Sequence, residues 1–302
     1  MATRATATTP SGRRVERSAV WSMVPVLAML PFSALALFVL WLPIGLTTDV
    51  TFLATAIAYL AVGPLLFVRP FQVRVLTPLL GARRPSSDEA AAIEPLWAAI
   101  AQANHLPADR YVIRILPSDE LNAFACGGHL VVVTTFAIDN LSTAELQGVL
   151  AHELSHHLGL HTIAITVGHW LSAPVLLIAR IGFFLENVAT AAARSFGTNS
   201  PLIDALGTVA AAVIRGVSWI FTFGIRAGDA LANIVGHEAE FEADQRAVRM
   251  GFGRELASAL RRVLANGSAP RPVGWRARIA ASHPPARTRV ARIEALLRHP
   301  SR

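Results

Sequence analysis

Of 302 residues, 53% are hydrophobic and only 16% are charged. That excludes an ordinary soluble globular protein and points to membrane spans. The net charge is +7 and all 27 basic residues are Arg; they flank apolar runs instead of forming a stripe with interleaved aromatics, which sets nucleic-acid binding aside in favour of membrane orientation. The single Cys126 excludes an intrachain disulfide.

Residues 1–18 are polar and Arg-bearing and read as a disordered cytoplasmic arm. Residues 19–46 then run almost without charge, ample for a span at about 1.5 Å per residue. The run continues past Ala34-Leu35-Ala36, so it reads as an anchor, not a cleaved signal. Residues 51–68 form a second span, which gives a transmembrane hairpin over 19–69. Arg4, Arg13, Arg14 and Arg17 precede the pair, and Arg69, Arg74, Arg83 and Arg84 follow it. The positive-inside rule therefore puts both ends of the hairpin in the cytoplasm.

Downstream, 87–104 reads as a helix with Ser87 as its cap and Ile93, Leu96, Trp97 and Ile100 on one face. Residues 110–116 and 129–135 are short, β-branched and strand-like. Ser142 and Glu145 make a capping box that opens a helix carrying Leu146, Val149 and Leu150. Two further apolar segments, 163–185 and 205–225, form a hairpin that either spans the membrane or re-enters it. Arg180 and Arg215 within them must face protein or water, because a bare charge at bilayer depth is costly. Residues 186–204 make the longest outward loop. Helices follow at 230–250, ending at Gly251, and at 252–265; 267–274 is a loop, and a last helix carries Arg289, Ile293 and Leu296. Residues 70–302 thus form one cytoplasmic domain interrupted by the apolar hairpin at about 163–225.

The chemistry sits in Ala151-His152-Glu153-Leu154-Ser155-His156-His157. On a helix, His152 and His156 lie one turn apart on one face, where two neutral imidazoles can share a metal ion. Glu153 beside them can take a proton from a metal-bound water. Such a site needs a third protein ligand. In His237-Glu238-Ala239-Glu240-Phe241-Glu242-Ala243-Asp244, the helical face shared by His237, Glu240 and Asp244 offers one. Glu240 is taken as that ligand, and Asp244, one turn on, as the carboxylate that orients an imidazole. Glu238 and Glu242 read as a solvated face pairing Arg246 and Arg249. His157 and His161 read as helix-surface residues. For His156 and Glu240 to meet, the chain between them must cross the membrane an even number of times, and the apolar hairpin satisfies this.

The order Asn122-Ala-Phe-Ala-Cys-Gly, strand, His152-Glu-x-x-His156, two apolar segments, Glu240-Phe-x-Ala-Asp244, then Ser-His283-Pro-Pro and Arg289 resembles the HtpX-like membrane zinc endopeptidases, relatives of the CAAX prenyl endopeptidases. Cys126 stands where that family commonly has Thr. The resemblance implies a mainly α integral membrane protein with a small β-sheet: a gluzincin-type metalloprotease domain plus about four transmembrane helices. It implies one Zn2+ on His152, His156 and Glu240, with Glu153 as base and His283 and Arg289 as a supporting pair able to stabilise an oxyanion. It further implies a bacterial plasma membrane location, a catalytic site on the cytoplasmic side, and (misfolded) membrane proteins as substrates. In this reading the strand 129–135 pairs with an extended substrate, and Asn122 bonds the substrate backbone. A membrane scaffold with a degenerate zinc site is the competing class; it has no use for Glu153. An antibiotic-sensor transducer would need a larger outward domain.

Overall fold

A computed structural model describes residues 20–196, 201–265 and 286–299. The N-terminal arm, the 267–274 loop and His283 lie outside the described residues. The chain divides into two compact units. One holds Met23–Gly63 and Val167–Ala232; the other holds Pro64–Thr166 and the described residues from Asn233 onward.

The first unit is apolar and helical. Helix α1 (Met23–Thr47) runs through Pro31 and Pro43. Helix α2 (Phe52–Val62) starts where the Thr51 side chain accepts from the Ala54 amide, and passes into a tighter turn at Gly63–Phe67. Among the described residues, Met23–Thr47, His161–Ala192 and Ala205–Arg249 are long and apolar enough to cross a membrane. Phe52–Phe67, taken with Arg69–Leu79, brings the total to four. Helices suit such segments because every backbone N–H and C=O is satisfied internally. Met29, Ala36, Val175, Ile178 and Phe221 pack inside this unit, while Leu27, Phe183, Leu206 and Trp219 point outward. Arg215 is not left bare: its Nε donates to Glu186 at 2.7 Å.

Two helices differ from expectation. Helix α6 (His161–Phe196) and helix α7 (Pro201–Arg249) leave only 197–200 between them, so the outward loop at 186–204 is mostly helix. Helix α7 is also one 49-residue element where two were expected. Its interrupting glycines serve packing: a Cβ on Gly224 would sit 2.5 Å from the Phe32 ring, and one on Gly228 2.7 Å from Met29 Sδ. Close approach through small residues is how helices associate without a hydrophobic drive between them.

The second unit is built on a three-stranded sheet of order β1-β3-β2. Strand β1 (Val112–Leu116) is parallel to β3 (Leu130–Thr134), and β2 (Ala123–Cys126) is antiparallel to it. Gly127, at φ +61°, turns the chain from β2 into β3. Helix α3 (Ser87–Ala103) begins with a capping box of Ser86 and Glu89, one residue earlier than the expected Ser87 cap. It packs Ile93, Trp97 and Ile100 against Ile115, Val131 and Val133 on one sheet face. On the other face Leu80, Ala82, Phe124 and Val132 form a smaller cluster.

Strand β3 is the middle strand, buried along its whole length. It therefore cannot take an added substrate strand, because both of its edges are already paired. The edge left open among the described residues belongs to β2, a strand absent from the sequence reading.

Helix α4 (Thr135–Asn140) leads to helix α5 (Thr143–Leu158), whose Ser142–Glu145 capping box forms as expected. Glu145 also accepts from Ser258 at 2.8 Å and pairs with Arg262 at 3.1 Å. Both partners lie on helix α8 (Gly253–Ala265), so the cap that starts α5 also fastens it. Helix α9 (Ala286–Arg298) packs Val290 and Ile293 with Leu256 and Leu260 of α8.

Candidate active site

Helix α5 carries both histidines of the motif into a buried spot. His152 and His156 are 2% and 6% exposed, and their Nε2 atoms stand 3.1 Å apart. One turn of helix separates them, as the spacing requires. Glu240 arrives from α7, 3% exposed, with its oxygens 3.3 Å from His152 Nε2 and 3.2 Å from His156 Nε2.

The two Nε2 atoms and the Glu240 carboxylate, which turns one oxygen toward each ring, stand 3.1–3.3 Å from one another. Tetrahedral zinc with bonds of about 2.0–2.1 Å to nitrogen and oxygen requires ligand–ligand edges of about 3.3–3.4 Å. The donor set therefore fits zinc, and among the described residues it is the one cluster of ligating side chains of this kind. Glu153 is next along α5, 2% exposed, and its Oε2 is buried with no hydrogen-bond partner. A carboxylate oxygen kept dry and unsatisfied is costly, and one beside a metal triangle is positioned for proton transfer.

A ring of charge surrounds the triangle. Asp244, one turn after Glu240, places Oδ1 3.0 Å from His152 Nδ1. Arg289 from α9 grips Asp244 with Nε at 2.9 Å and Nη2 at 2.7 Å, and its Nη1 lies 3.1 Å from Glu240. Arg289 is 4% exposed, a buried arginine and not a surface one. Burial lowers its pKa, but Glu240 and Asp244, with Glu153 adding, raise it more, and the net shift is upward. Burial and the charge of Arg289 pull His152 down, yet Asp244 and Glu240 win and bring it up to about 9. Burial likewise raises Asp244, but Arg289 and His152 leave it below the usual carboxylate range.

The remaining expected residues fall out differently. Asn122 immediately precedes β2; its backbone N–H donates to Thr134 Oγ1 at 3.1 Å, and its C=O accepts from the same hydroxyl at 2.8 Å. His157 and His161 are fully buried and not on a helix surface. His157 Nε2 meets the Leu130 carbonyl at 2.9 Å and so pins α5 to β3, while His161 faces Glu242 at 3.6 Å. Glu242 is thus half-buried, with a histidine beside it, and not fully solvated. His237 is exposed and outside the triangle.

Residues 87–297, well over half of the chain, match the profile of peptidase family M48. The chain belongs to that family. It is 30% identical over 188 residues to Protease HtpX homolog 2 of Methanosarcina mazei, covering 61% of this chain and 58% of that one. It is 29% identical over 198 residues to Protease HtpX of Haemophilus influenzae, covering 59% and 64%. The alignable part thus spans about three fifths of each relative. The fold is similar to the crystal structure of S. mikatae Ste24p, with a TM-score of 0.51 and 16% identity over 94% of this chain and 68% of that one.

Proposed function

We propose that this chain is a membrane-embedded, zinc-dependent endopeptidase. Its substrates are membrane proteins, misfolded ones among them, and it works on the cytoplasmic side of a bacterial plasma membrane. One observation carries the reading: a buried His152–His156–Glu240 triangle with the unpartnered carboxylate oxygen of Glu153 beside it. A structural metal site has no use for that fourth group. The names of the HtpX relatives support the activity, and the arginines at both ends of the first hairpin support the side.

Zinc held by His152, His156 and Glu240 would supply a Lewis acid for the scissile carbonyl and an acidified water. Glu153 accepts the proton of the attacking water and returns it to the leaving amine. Asp244 holds the His152 ring through Nδ1, which fixes the tautomer whose ligating lone pair is on Nε2. Arg289 directs its donors at Asp244, Glu240 and the His152 ring, so it acts as a positioning residue and not as an oxyanion donor. The substrate lies extended along the free edge of β2, which packs against α5, with Asn122 at the start of that edge.

Replacing Glu153 with Gln tests the reading. The variant keeps its zinc and loses cleavage of an unfolded membrane protein by at least 100-fold, the scale of general acid–base catalysis. Wild-type cleavage by Glu153→Gln would remove the base, and full-length chain without bound zinc would remove the metal.

A further inference from the structure

Away from the zinc triangle, β1 buries a charge that no carboxylate among the described residues neutralises. Arg114 is 8% exposed. Its Nη1 donates to the neighbouring Ile113 carbonyl at 2.8 Å, and its Nε is buried without a hydrogen-bond partner. The bridge between Arg83 and Ile115, with backbone bonds of 2.8 and 2.9 Å, is antiparallel. The bridge is isolated, and one step along its register Arg84 comes opposite Arg114. Cross-strand partners project from the same face, so two like charges confront one another there, normally an unfavourable arrangement. Arg69 adds a third: burial first, then the charges of Arg84 and Arg69, push the Arg114 pKa down. Arg69 and Arg84 are exposed at the rim, and none of the three has a carboxylate partner among the described residues. Their neighbour Arg83 does have one, Glu89 at 2.6 Å, so an acidic side chain is available nearby and is used elsewhere.

Three guanidiniums with one buried at the base call for an anion. The planar fork of Arg matches the oxygens of a phosphate and binds it more strongly than a neutral donor would. Chain position narrows the source. Arg69 sits at the 86° bend between Phe52–Phe67 and Arg69–Leu79, directly after the uncharged run 51–68, and so lies within about 7 Å of the end of Phe52–Phe67 along the chain. That is headgroup depth, where basic side chains meet anionic lipid. We propose that Arg69, Arg84 and Arg114 form a phosphate-binding site whose ligand is the headgroup phosphate of an anionic phospholipid. The bound lipid ties the β1 edge of the sheet to the membrane surface and supplies the counter-charge that Arg114 lacks.

The test uses the full chain in detergent micelles. Phosphatidylglycerol, phosphatidylcholine and inorganic phosphate are titrated separately, with retained lipid read by native mass spectrometry and the thermal midpoint followed in parallel. Wild type binds phosphatidylglycerol saturably, and inorganic phosphate displaces it. Both Arg114→Met and the rim variant Arg69→Gln/Arg84→Gln weaken that binding at least tenfold. Arg114→Met stays folded, because replacing an unpaired buried charge with an apolar chain relieves the lipid-free protein, and its midpoint without lipid rises. Equal phosphatidylglycerol affinity in wild type and both variants overturns the site. Protection by inorganic phosphate with none from phosphatidylglycerol keeps the phosphate site and overturns the lipid as its source.

Discussion

Oδ1 of Asp244 lies 3.0 Å from Nδ1 of His152. Helical spacing sets this contact, since Asp244 follows Glu240 by one turn and the two carboxylates reach opposite nitrogens of the same ring. A carboxylate behind a ligating imidazole raises its basicity and fixes its orientation. Asp244→Asn keeps the shape and loses the charge. Zinc affinity falls roughly 10- to 100-fold, as for other partners of metal-bound histidine, and competition with a chromophoric chelator measures it.

Acid acts on the same residue. In the metal-free protein His152 titrates at about 9, above its usual value, because Asp244 and Glu240 outweigh burial and Arg289. A ligating imidazole must be neutral, so zinc competes with a proton at every pH below 9. Apparent affinity therefore rises up to about tenfold per unit as pH increases toward 9, then levels off. The metal-free fold shows the opposite trend. A raised folded-state pKa gives stability that is complete below about 6.5 and is lost as pH climbs through 9. Thermal midpoints with and without zinc from pH 6 to 9.5 should therefore diverge, the metal-free midpoint falling while the zinc-induced increment grows. A zinc increment independent of pH would contradict the assignment of His152 as a ligand.

Gly148 has no room for a side chain. A Cβ there would come within 2.4 Å of the Leu256 amide nitrogen and 2.7 Å of the Glu255 carbonyl carbon. Both obstacles are backbone of α8 and cannot rotate away. In an isolated helix Gly148→Ala would gain about 1 kcal/mol from propensity. Here overpacking wins, since forcing extra volume into a close-packed contact costs typically 1–3 kcal/mol. The variant unfolds at a lower temperature, and because α5 carries the two proposed histidine ligands, its zinc occupancy falls with it. A raised midpoint would show that α5 and α8 are less tightly apposed.

The cluster of His152, His156 and Glu240 was legible because its geometry is local. His152 and His156 share a helix face by spacing alone, the Ser142–Glu145 box marks where that helix starts, and Glu240 and Asp244 repeat the same logic on α7. What escaped the sequence depends on partners far along the chain. His157 looks like a polar surface residue until the Leu130 carbonyl, 27 residues away, takes its Nε2. The break expected between 225 and 230 is continuous helix, with Phe32 and Met29 filling the space beside Gly224 and Gly228. Four residues rich in Ala carry almost no strand signal, so β2 emerged only through its pairing with β3, although the Gly127-Gly128 pair after it is a hairpin cue.

That missed strand gives the sharpest test of how substrate is held. Thr134 N–H bonds the Asn122 carbonyl at 3.0 Å, so position 122 faces β3. Antiparallel pairing alternates, which turns the N–H and C=O of Ala123 and Ala125 toward the open edge. Proline is tolerated in a strand where its missing N–H faces outward. Ala125→Pro should therefore keep the β2–β3 ladder, the zinc and the fold, yet delete one hydrogen bond to an extended peptide. With a net value of about 0.5–1.5 kcal/mol for such a bond, kcat/KM drops between about twofold and tenfold. Phe124→Pro is the control, since its N–H faces β3 and its loss disrupts the sheet itself. Unchanged kcat/KM in a zinc-loaded Ala125→Pro protein would move the substrate off this edge.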